Sequence, residues 1–278
     1  MPRPRQRLLR LLRRLGAHPR ILPVTALLLR GRTVRPSPAF MAREAMGRRG
    51  LFIYTTRCDV AHVAIRHGTG DVVTLGEIFH DRQYSPPPEL AGFLDDVRSI
   101  LDLGANIGLF GAFAARRWPH AAIVAFEPDP ANATVHEQTI ALNGLGDRWK
   151  LIRAAAGARD GHAAFSAGHA ALSHLVDPCG DHPIDAASRE VRVEDVLPRL
   201  ADADLVKMDI EGGEWAILRD PRFRTHRPRA LVLEYHPRFC PEDDPHVAAR
   251  STLLAAEFGV HPLWGRPDGH GMLWAWRR

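Results

Sequence analysis

From residue 99 onward, short apolar runs alternate with segments in which apolar residues recur at helical spacing. The runs have the length of single strands, and they lie at 99–103, 122–126, 149–154, 204–208 and 230–233. The helical segments lie at 107–117, 130–142, 213–218 and 246–258. This alternation predicts an α/β domain with a mostly parallel sheet and helices on both faces. Two late runs, near 259–264 and 271–276, are joined by a short turn and predict an antiparallel hairpin at the sheet edge.

The segment 36–98 has a different pattern and predicts a lead-in region before the main sheet. Its predicted strands lie at 51–54, 60–65 and 71–75, and its predicted helix lies at 89–96. A second irregular stretch, 157–190, is rich in Gly, Ala, His and Asp, and we predict a hairpin and a mobile loop there. A short strand at 191–193 and a short helix at 194–200 are predicted to follow it.

Residues 1–35 form an N-terminal extension that contains ten arginines and no acidic residue. Leucines recur at helical spacing among the arginines of 7–15, which predicts a basic amphipathic helix or tail. Such a helix can contact an anionic membrane surface through residues 1–30, act as a targeting signal, or pack on the following domain. The sequence leaves these alternatives open. It predicts three segments, which are 1–35, 36–98 and 99–278.

The charge of the chain bears on its expected partners, and its cysteines bear on the cellular compartment. The net charge of +5 comes from the N-terminal extension, because the remaining residues carry 27 basic and 32 acidic side chains. An acidic body does not favour a wide phosphate-binding face, so nucleic acid is not the expected partner. Cys58, Cys179 and Cys240 are far apart without metal-site spacing, which predicts reduced thiols in a cytoplasmic protein.

The turn after the first predicted strand has the pattern of a nucleoside site. The run Asp102-Leu103-Gly104-Ala105-Asn106-Ile107-Gly108 places a tight turn between a strand and a helix, and the next strand ends in Glu127. A dinucleotide site has a glycine where this chain has Asn106, so that the backbone can approach a pyrophosphate. This turn, with a carboxylate for the ribose hydroxyls, suits an adenosine ligand without phosphate. S-adenosylmethionine (SAM) is such a ligand.

The predicted cofactor ligands each have a plainer interpretation. They are Asp102, Gly104, Asn106, Gly108, Glu127 and Asp209. Asp102 and Asn106 can serve only as hydrogen-bond partners within the turn, and Glu127 can be a solvated strand end. Asp129, which stands between two prolines, is interpreted as the N-cap of the following helix.

Acidic residues and a histidine follow the last two predicted parallel strands. Asp209 and Glu211 follow one strand, and Glu234 and His236 follow the next. Residues two apart on extended backbone point the same way, so both pairs can face one cleft. Asp209 can instead be an acid at a helix N-terminus, and His236 can be a surface histidine. Lys207 lies in an otherwise apolar strand and needs a partner, for which Glu234 is a candidate.

Three blocks of the sequence form a recognisable set of motifs. They are the run 102–108, the run Ala125-Phe126-Glu127-Pro128-Asp129-Pro130, and the run Lys207-Met208-Asp209-Ile210-Glu211-Gly212-Gly213-Glu214. Together they resemble the FkbM family of SAM-dependent methyltransferases, over about residues 99–236. The resemblance implies a Rossmann-like sheet of seven strands whose last strand is antiparallel. It also implies methyl transfer to oxygen, on a hydroxyl of a polyketide, a sugar or another secondary metabolite.

The predicted reaction is O-methylation by in-line transfer, in which a carboxylate or a histidine removes the acceptor's proton. Asp209 is the first candidate for this base, His236 is the second, and Glu211 completes the predicted catalytic set. A magnesium ion held by Asp209, Glu211, Glu234 and His236 is an alternative that we do not favour. A non-catalytic SAM- or nucleotide-binding subunit and an N-methyltransferase are the competing functions. The sequence names neither the acceptor nor the oligomeric state.

Overall fold

The computed structural model describes residues 22–166, 174–175 and 188–277, and the chain divides into two compact units. The first unit ends at Gln83 and the second begins at Tyr84. The predicted amphipathic helix before residue 22 and most of the predicted mobile loop lie outside the described residues. The assignment of separate roles to 1–35, 36–98 and 99–278 therefore stays a prediction.

The first unit contains a three-stranded antiparallel sheet. Its elements are α1 (Leu22–Gly31), β1 (Val34–Arg35), α2 (Ser37–Ala45), β2 (Gly50–Thr56), β3 (His62–His67) and α3 (Asp71–Phe79). The strands pair in the order β1-β2-β3, and β2 and β3 confirm the strands predicted at 51–54 and 60–65. No helix in the part of the chain that the structure describes is long and apolar enough to cross a membrane.

The strand predicted at 71–75 is wrong, because this segment is the first half of α3. The Asp71 carboxylate accepts hydrogen bonds from the backbone and the guanidinium of Arg66, which fixes the helix N-terminus to the end of β3. Val72, Leu75 and Phe79 are buried, since intervals of three and four residues place them on one face of a helix. A short apolar run does not distinguish a strand from a buried helix.

The second unit is built on a seven-stranded sheet. Its helices are α4 (Pro88–Ala91), α5 (Leu109–Arg117), α6 (Pro130–Leu142), α7 (Leu197–Leu200), α8 (Glu214–Arg219) and α9 (Pro245–Ala255). Its strands are β4 (Ser99–Leu103), β5 (Ala122–Phe126), β6 (Trp149–Ile152), β7 (Ala155–Gly157), β8 (Gly161–Ser166), β9 (His174–Leu175), β10 (Ser188–Asp195), β11 (Leu205–Met208), β12 (Ala230–Tyr235), β13 (Phe258–Gly265) and β14 (Gly271–Arg277). Short 3₁₀ turns lie at Gly92–Leu94 and Pro221–Arg224.

The main sheet has the strand order β13-β14-β12-β11-β4-β5-β6. β14 runs antiparallel to both of its neighbours, β12 and β13, and β13 and β14 form the predicted hairpin at the sheet edge. The α/β fold with a mostly parallel seven-stranded sheet and an antiparallel last strand is thereby confirmed. A smaller sheet has the order β7-β10-β8-β9, and in it the strand predicted at 191–193 extends over Ser188–Asp195. The helix predicted from residue 194 begins only at Leu197.

Apolar and charged side chains alternate along the central strands, so the two kinds lie on opposite faces of the sheet. Leu101 and Leu103 of β4, and Val206 and Met208 of β11, lie in one buried apolar cluster that also contains residues of α8 and α9. The intervening residues, Asp102 and Lys207, are therefore directed to the opposite face, and the parallel register pairs them with each other.

The register also determines which residues meet at the carboxyl edge of the sheet. Leu103 pairs with Phe126 on one side and with Met208 on the other, and Met208 pairs with Leu233. The residues that follow these positions are Gly104, Glu127, Asp209 and Glu234. Four adjacent parallel strands thus each place one candidate site residue at the same edge of the sheet.

Candidate active site

The segment 104–108, here called the nucleoside turn, has left-handed backbone at three positions. The φ angles are +77° at Gly104, +48° at Asn106 and +84° at Gly108. A Cβ atom on Gly104 would lie 1.8 Å from the backbone oxygen of Asp209, so only glycine allows β4 and β11 to end this close together. The turn therefore depends on backbone geometry that its two glycines supply.

Glu127 closes the nucleoside turn from the neighbouring strand. Its carboxylate accepts hydrogen bonds from the backbone amides of Asn106 and Asp129, each at 2.8 Å. Burial raises its pKa to about 7, although these two amides favour the ionised form. Glu127 is buried, so it is not the solvated residue at the end of a strand that the sequence left as an alternative.

Asp129 has the role that the sequence predicts. Its side chain accepts hydrogen bonds from the backbone amides of Ala131 and Asn132, and it is the N-cap of α6. The same helix carries a residue that the sequence analysis does not single out. His136 is buried, and its Nδ1 lies 3.2 Å from the backbone oxygen of Asn106. Burial lowers its pKa to about 4, so a neutral imidazole supports the turn.

Lys207 lies beneath the turn at the centre of a charged group. Its Nζ donates hydrogen bonds to the backbone oxygens of Gly104 and Leu103, at 2.6 and 3.4 Å. It also lies 3.6 Å from Asp102 Oδ1 and 3.4 Å from Asp209 Oδ2. Burial opposes its charge, but the surrounding carboxylates, Asp209 first, outweigh burial and raise its pKa.

Asp102 is fully buried and faces this lysine. Burial raises its pKa to about 6, while the charge of Lys207 opposes that shift and the charge of Asp209 adds to it. Among the described residues, no group donates a hydrogen bond to either of its carboxylate oxygens. Asp102 therefore serves as a counter-charge for Lys207 under the turn.

The carboxylates of Asp209, Glu211, Glu214 and Glu234 are here called the acidic cluster, and the first three surround His236. The imidazole Nδ1 lies 3.0 Å from Glu214 Oε1, and its Nε2 lies 3.4 Å from Glu211 Oε2 and 4.0 Å from Asp209 Oδ1. His236 is therefore buried among carboxylates and is not a surface histidine.

Glu214 is fixed as part of the chain's own structure. It is fully buried, and its two oxygens accept hydrogen bonds from the backbone amides of Ile210 and Gly212, each at 2.8 Å. These contacts hold the loop before α8 in place. Its remaining contact, with His236, makes it the anchor of the imidazole rather than a group that faces solvent.

Two groups at the acidic cluster, His236 and Glu211, have strongly shifted pKa values. Burial alone would lower the pKa of His236, but the hydrogen bond with Glu214 and the charges of the neighbouring acids raise it to about 10. Burial, together with the charge of Asp209, raises the pKa of Glu211 to about 7 despite the opposing charge of His236. These shifts favour a protonated imidazolium at His236 and bring the pKa of Glu211 close to neutral pH.

The cluster also has atoms at metal-site spacing. Asp209, Glu214 and His236 each bring one potential ligand atom within 4.8 Å of the others. Both oxygens of Glu214 already accept hydrogen bonds from backbone amides, and one of the three potential ligand atoms is an imidazole nitrogen. This donor set fits Mg²⁺ poorly, because that ion prefers oxygen ligands at octahedral positions.

The nucleoside turn suits the predicted cofactor on two observations. The side-chain oxygen of Asn106 is buried, and within the described residues it has no hydrogen-bond partner. The adjoining carboxylate of Glu127 would repel a phosphate and can accept hydrogen bonds from ribose hydroxyls. These two residues with Gly104 and Gly108 are the candidates to hold the nucleoside of SAM, and the acidic cluster suits its positively charged end.

Comparison with known proteins places this arrangement in a family. The family model described as the methyltransferase FkbM domain matches residues 102–260. Methyltransferase 1 of Beauveria bassiana (strain ARSEF 2860) is 27% identical over 217 residues, covering 69% of this chain and 84% of that protein. Methyltransferase sdnD of Sordaria araneosa is 28% identical over 159 residues, covering 43% of this chain and 59% of that protein.

Solved structures give weaker similarities. Precorrin-6y C5,15-methyltransferase of Geobacter metallireducens GS-15 is 14% identical with a TM-score of 0.41, over 70% of this chain and 90% of that one. M. jannaschii TYW2 in complex with AdoMet is 13% identical with a TM-score of 0.43, over 82% and 85% of the two chains. The assignment depends on the family match, which spans more than half of the chain and includes the nucleoside turn, Glu127 and the acidic cluster. The chain belongs to the FkbM family of SAM-dependent methyltransferases.

Proposed function

We propose that this protein transfers a methyl group from SAM to a hydroxyl group of a small molecule, and that Glu211 accepts the hydroxyl proton. The proposal rests on the raised pKa and the left-handed backbone of Glu211. Its pKa, raised to about 7 by burial, lies near the pH at which general-base catalysis is most efficient. Its backbone has φ +55°, and strain of this kind in a non-glycine residue is concentrated at functional sites.

His236 acts in this proposal as a fixed cation instead of as the base. An imidazole with a pKa of about 10 holds its proton at neutral pH and cannot accept another. The Nε2–H group faces Glu211 and Asp209, so it keeps both carboxylates in place. Glu211 consequently replaces Asp209 and His236 as the first candidate for the base.

Asp209 orients the acceptor in this proposal. Its Oδ2 is held by Lys207 at 3.4 Å, while its side chain remains 23% exposed and can accept a hydrogen bond from the incoming hydroxyl. Alignment of the reacting groups is worth roughly 7–11 kcal/mol, and a positioned base adds about 10²–10⁴-fold. When bound, SAM supplies an electrophilic methyl group, and the chain supplies the alignment and the proton acceptor.

The acceptor class follows from the family resemblance and from the charge of the site. A polyketide, a sugar or another secondary metabolite offers a hydroxyl without requiring a cationic pocket. Asp209 and Glu211 are each 23% exposed, whereas the cations Lys207 and His236 are buried behind them, so the site disfavours an anionic acceptor. A cytoplasmic location, where SAM is made, stays part of the proposal.

The direct test incubates the purified protein with methyl-labelled SAM and a panel of neutral hydroxyl acceptors, matched amines and no acceptor. We expect transfer to a hydroxyl, and we expect Glu211→Gln to reduce kcat about 10²–10⁴-fold. The control is Glu137→Gln, which removes a carboxylate that pairs with Arg153 on the exposed surface and should leave kcat unchanged.

Each other outcome identifies a competing function. SAM binding measured by calorimetry, without transfer to any acceptor, would indicate a non-catalytic SAM-binding subunit. Transfer to amines alone would indicate an N-methyltransferase. Normal turnover by the Glu211→Gln variant would show that another group accepts the proton.

A further inference from the structure

Tyr84 is a buried residue at the beginning of the second unit, and the reaction proposed above assigns it no role. Its hydroxyl lies 3.3 Å from Asp209 Oδ2 and 3.4 Å from Glu234 Oε2. Asp209 and Glu234 follow the registered pair at the ends of β11 and β12. The phenol therefore joins the carboxylates that emerge from two adjacent strands.

The two carboxylates place like charges on neighbouring strands, where they repel each other. A phenol has one proton, so it donates to one carboxylate at a time and reduces that repulsion. Lys207 Nζ also lies 3.4 Å from Asp209 Oδ2, so the same oxygen contacts two donors. Asp209 is thereby oriented with its other oxygen, Oδ1, towards His236.

The ring of Tyr84 is itself fixed. It packs edge-on against Phe110 of α5, with the ring centroids 5.3 Å apart, and the Lys207 Nζ lies 6.0 Å from its centroid. A side chain held by an aromatic neighbour delivers its hydroxyl to one position at little further cost in conformational entropy. The geometry is that of a preorganised donor.

We infer that Tyr84 is a positioning residue for methyl transfer, whose hydroxyl holds Asp209 so that Oδ1 meets the acceptor hydroxyl. This inference rests on the proposed function. The charged groups around the phenol are Asp209, Glu234 and Lys207, with Asp102 behind the lysine. Removing the hydroxyl takes one of these contacts from Asp209 Oδ2 and leaves the contact with Lys207.

The first test compares Tyr84→Phe with Tyr54→Phe. Tyr54 is the matched control, because it is also buried and its hydroxyl contacts Arg43 and His67 within the first unit. We expect Tyr84→Phe to lower kcat about tenfold or more and to leave the KM for SAM within about twofold. Tyr54→Phe should change neither value. Equal kcat for Tyr84→Phe and the wild type would overturn the inference.

The second test needs no acceptor, so it separates this inference from the proposed function. The chain has three tyrosines, and labelling them with ¹³C at Cζ gives three NMR lines that single Phe variants assign. We expect Asp209→Asn to displace the Tyr84 line and to leave the Tyr54 and Tyr235 lines in place. An unmoved Tyr84 line would overturn the inference even if the wild type methylates a hydroxyl. A displaced line without turnover would support the contact while the proposed reaction fails.

Discussion

The nucleoside turn and the acidic cluster lie at the same edge of one sheet, but they are held in place by different forces. The turn depends on backbone: Gly104 has no room for a side chain, and Glu127 is held by two backbone amides. The cluster depends on side-chain charge, with His236 among carboxylates that come from different segments. Substitutions of the glycines in the turn should therefore act through sterics, and substitutions in the cluster should act through charge and pH.

The largest effect is expected in the acidic cluster. His236→Gln leaves the buried carboxylate of Glu214 and the partly exposed carboxylates of Asp209 and Glu211 without the imidazolium, and we expect it to lower the free energy of unfolding by about 3–5 kcal/mol. His261→Gln is the control, because His261 pairs with Glu89 at the exposed surface and should contribute only about 0–1 kcal/mol. Urea unfolding of both variants at pH 6 measures the difference. Equal stability of the two variants would contradict the account of the cluster.

This effect should depend on pH with a defined sign. The pKa of His236 is about 10 in the folded protein and near 6.5 in the unfolded chain. The stabilisation is therefore fully present below about pH 6.5 and is lost as the pH rises through about 10. The stability difference between the wild type and His236→Gln should accordingly shrink between pH 6 and pH 10. A difference that grows over this range would show that the histidine is neutral in the folded state.

The next effect belongs to the nucleoside turn. Gly104→Ala combines left-handed backbone with a clash against Asp209, and we expect a loss of about 3 kcal/mol or more. Gly144→Ala is the matched control, because its φ is +63° and nothing lies within 4 Å of the added Cβ. It should cost only about 1–2 kcal/mol. Unfolding curves that coincide for the two variants would show that the end of β4 can move away from β11.

A smaller effect concerns the affinity of the protein for SAM. If Glu127 holds the ribose of SAM, Glu127→Gln should weaken SAM binding about 10–100-fold, the range expected for hydrogen bonds to a charged group. Isothermal titration calorimetry measures it, and Glu137→Gln is the exposed control. Unchanged affinity in the Glu127 variant would place the ribose elsewhere.

The smallest effect is the dependence of that affinity on pH. Because the pKa of Glu127 is raised to about 7 and a ribose hydroxyl needs the ionised form, SAM affinity should increase as the pH rises towards 7 and then level off. Below pH 7 the change is at most about tenfold per pH unit, since one proton is released. Titrations from pH 5.5 to 8.5 should show this slope in the wild type and its absence in Glu127→Gln. A wild-type affinity that is flat with pH would mean that Glu127 does not titrate with binding.

The elements that were predicted correctly share one property, which is that their signals are local. The helix predicted at 130–142 and the strand predicted at 122–126 match α6 and β5, because a cap or a glutamate marks each boundary. The segment 71–75 is a short apolar run that does not by itself distinguish a strand from a helix, and the contact of Asp71 with Arg66 at the helix N-terminus is seen only in the structure. Tyr84 and His136 were missed for the same reason, since nothing beside them in sequence indicates what they contact.

The sequence by itself determined the order of strands and helices that build the seven-stranded sheet, the glycine-dependent turn and the set of acids that reach one edge of that sheet. Periodicity, capping and steric freedom are properties of neighbouring residues, so they are readable along the chain. Only the tertiary structure decided which of these acids contact His236 and in which direction their pKa values shift. Burial and charge act across space. The charges of neighbouring acids raise the pKa of His236 against the effect of burial, whereas burial and the charge of Asp209 together raise the pKa of Glu211. The same residues at the same spacing would titrate ordinarily if the fold left them in water.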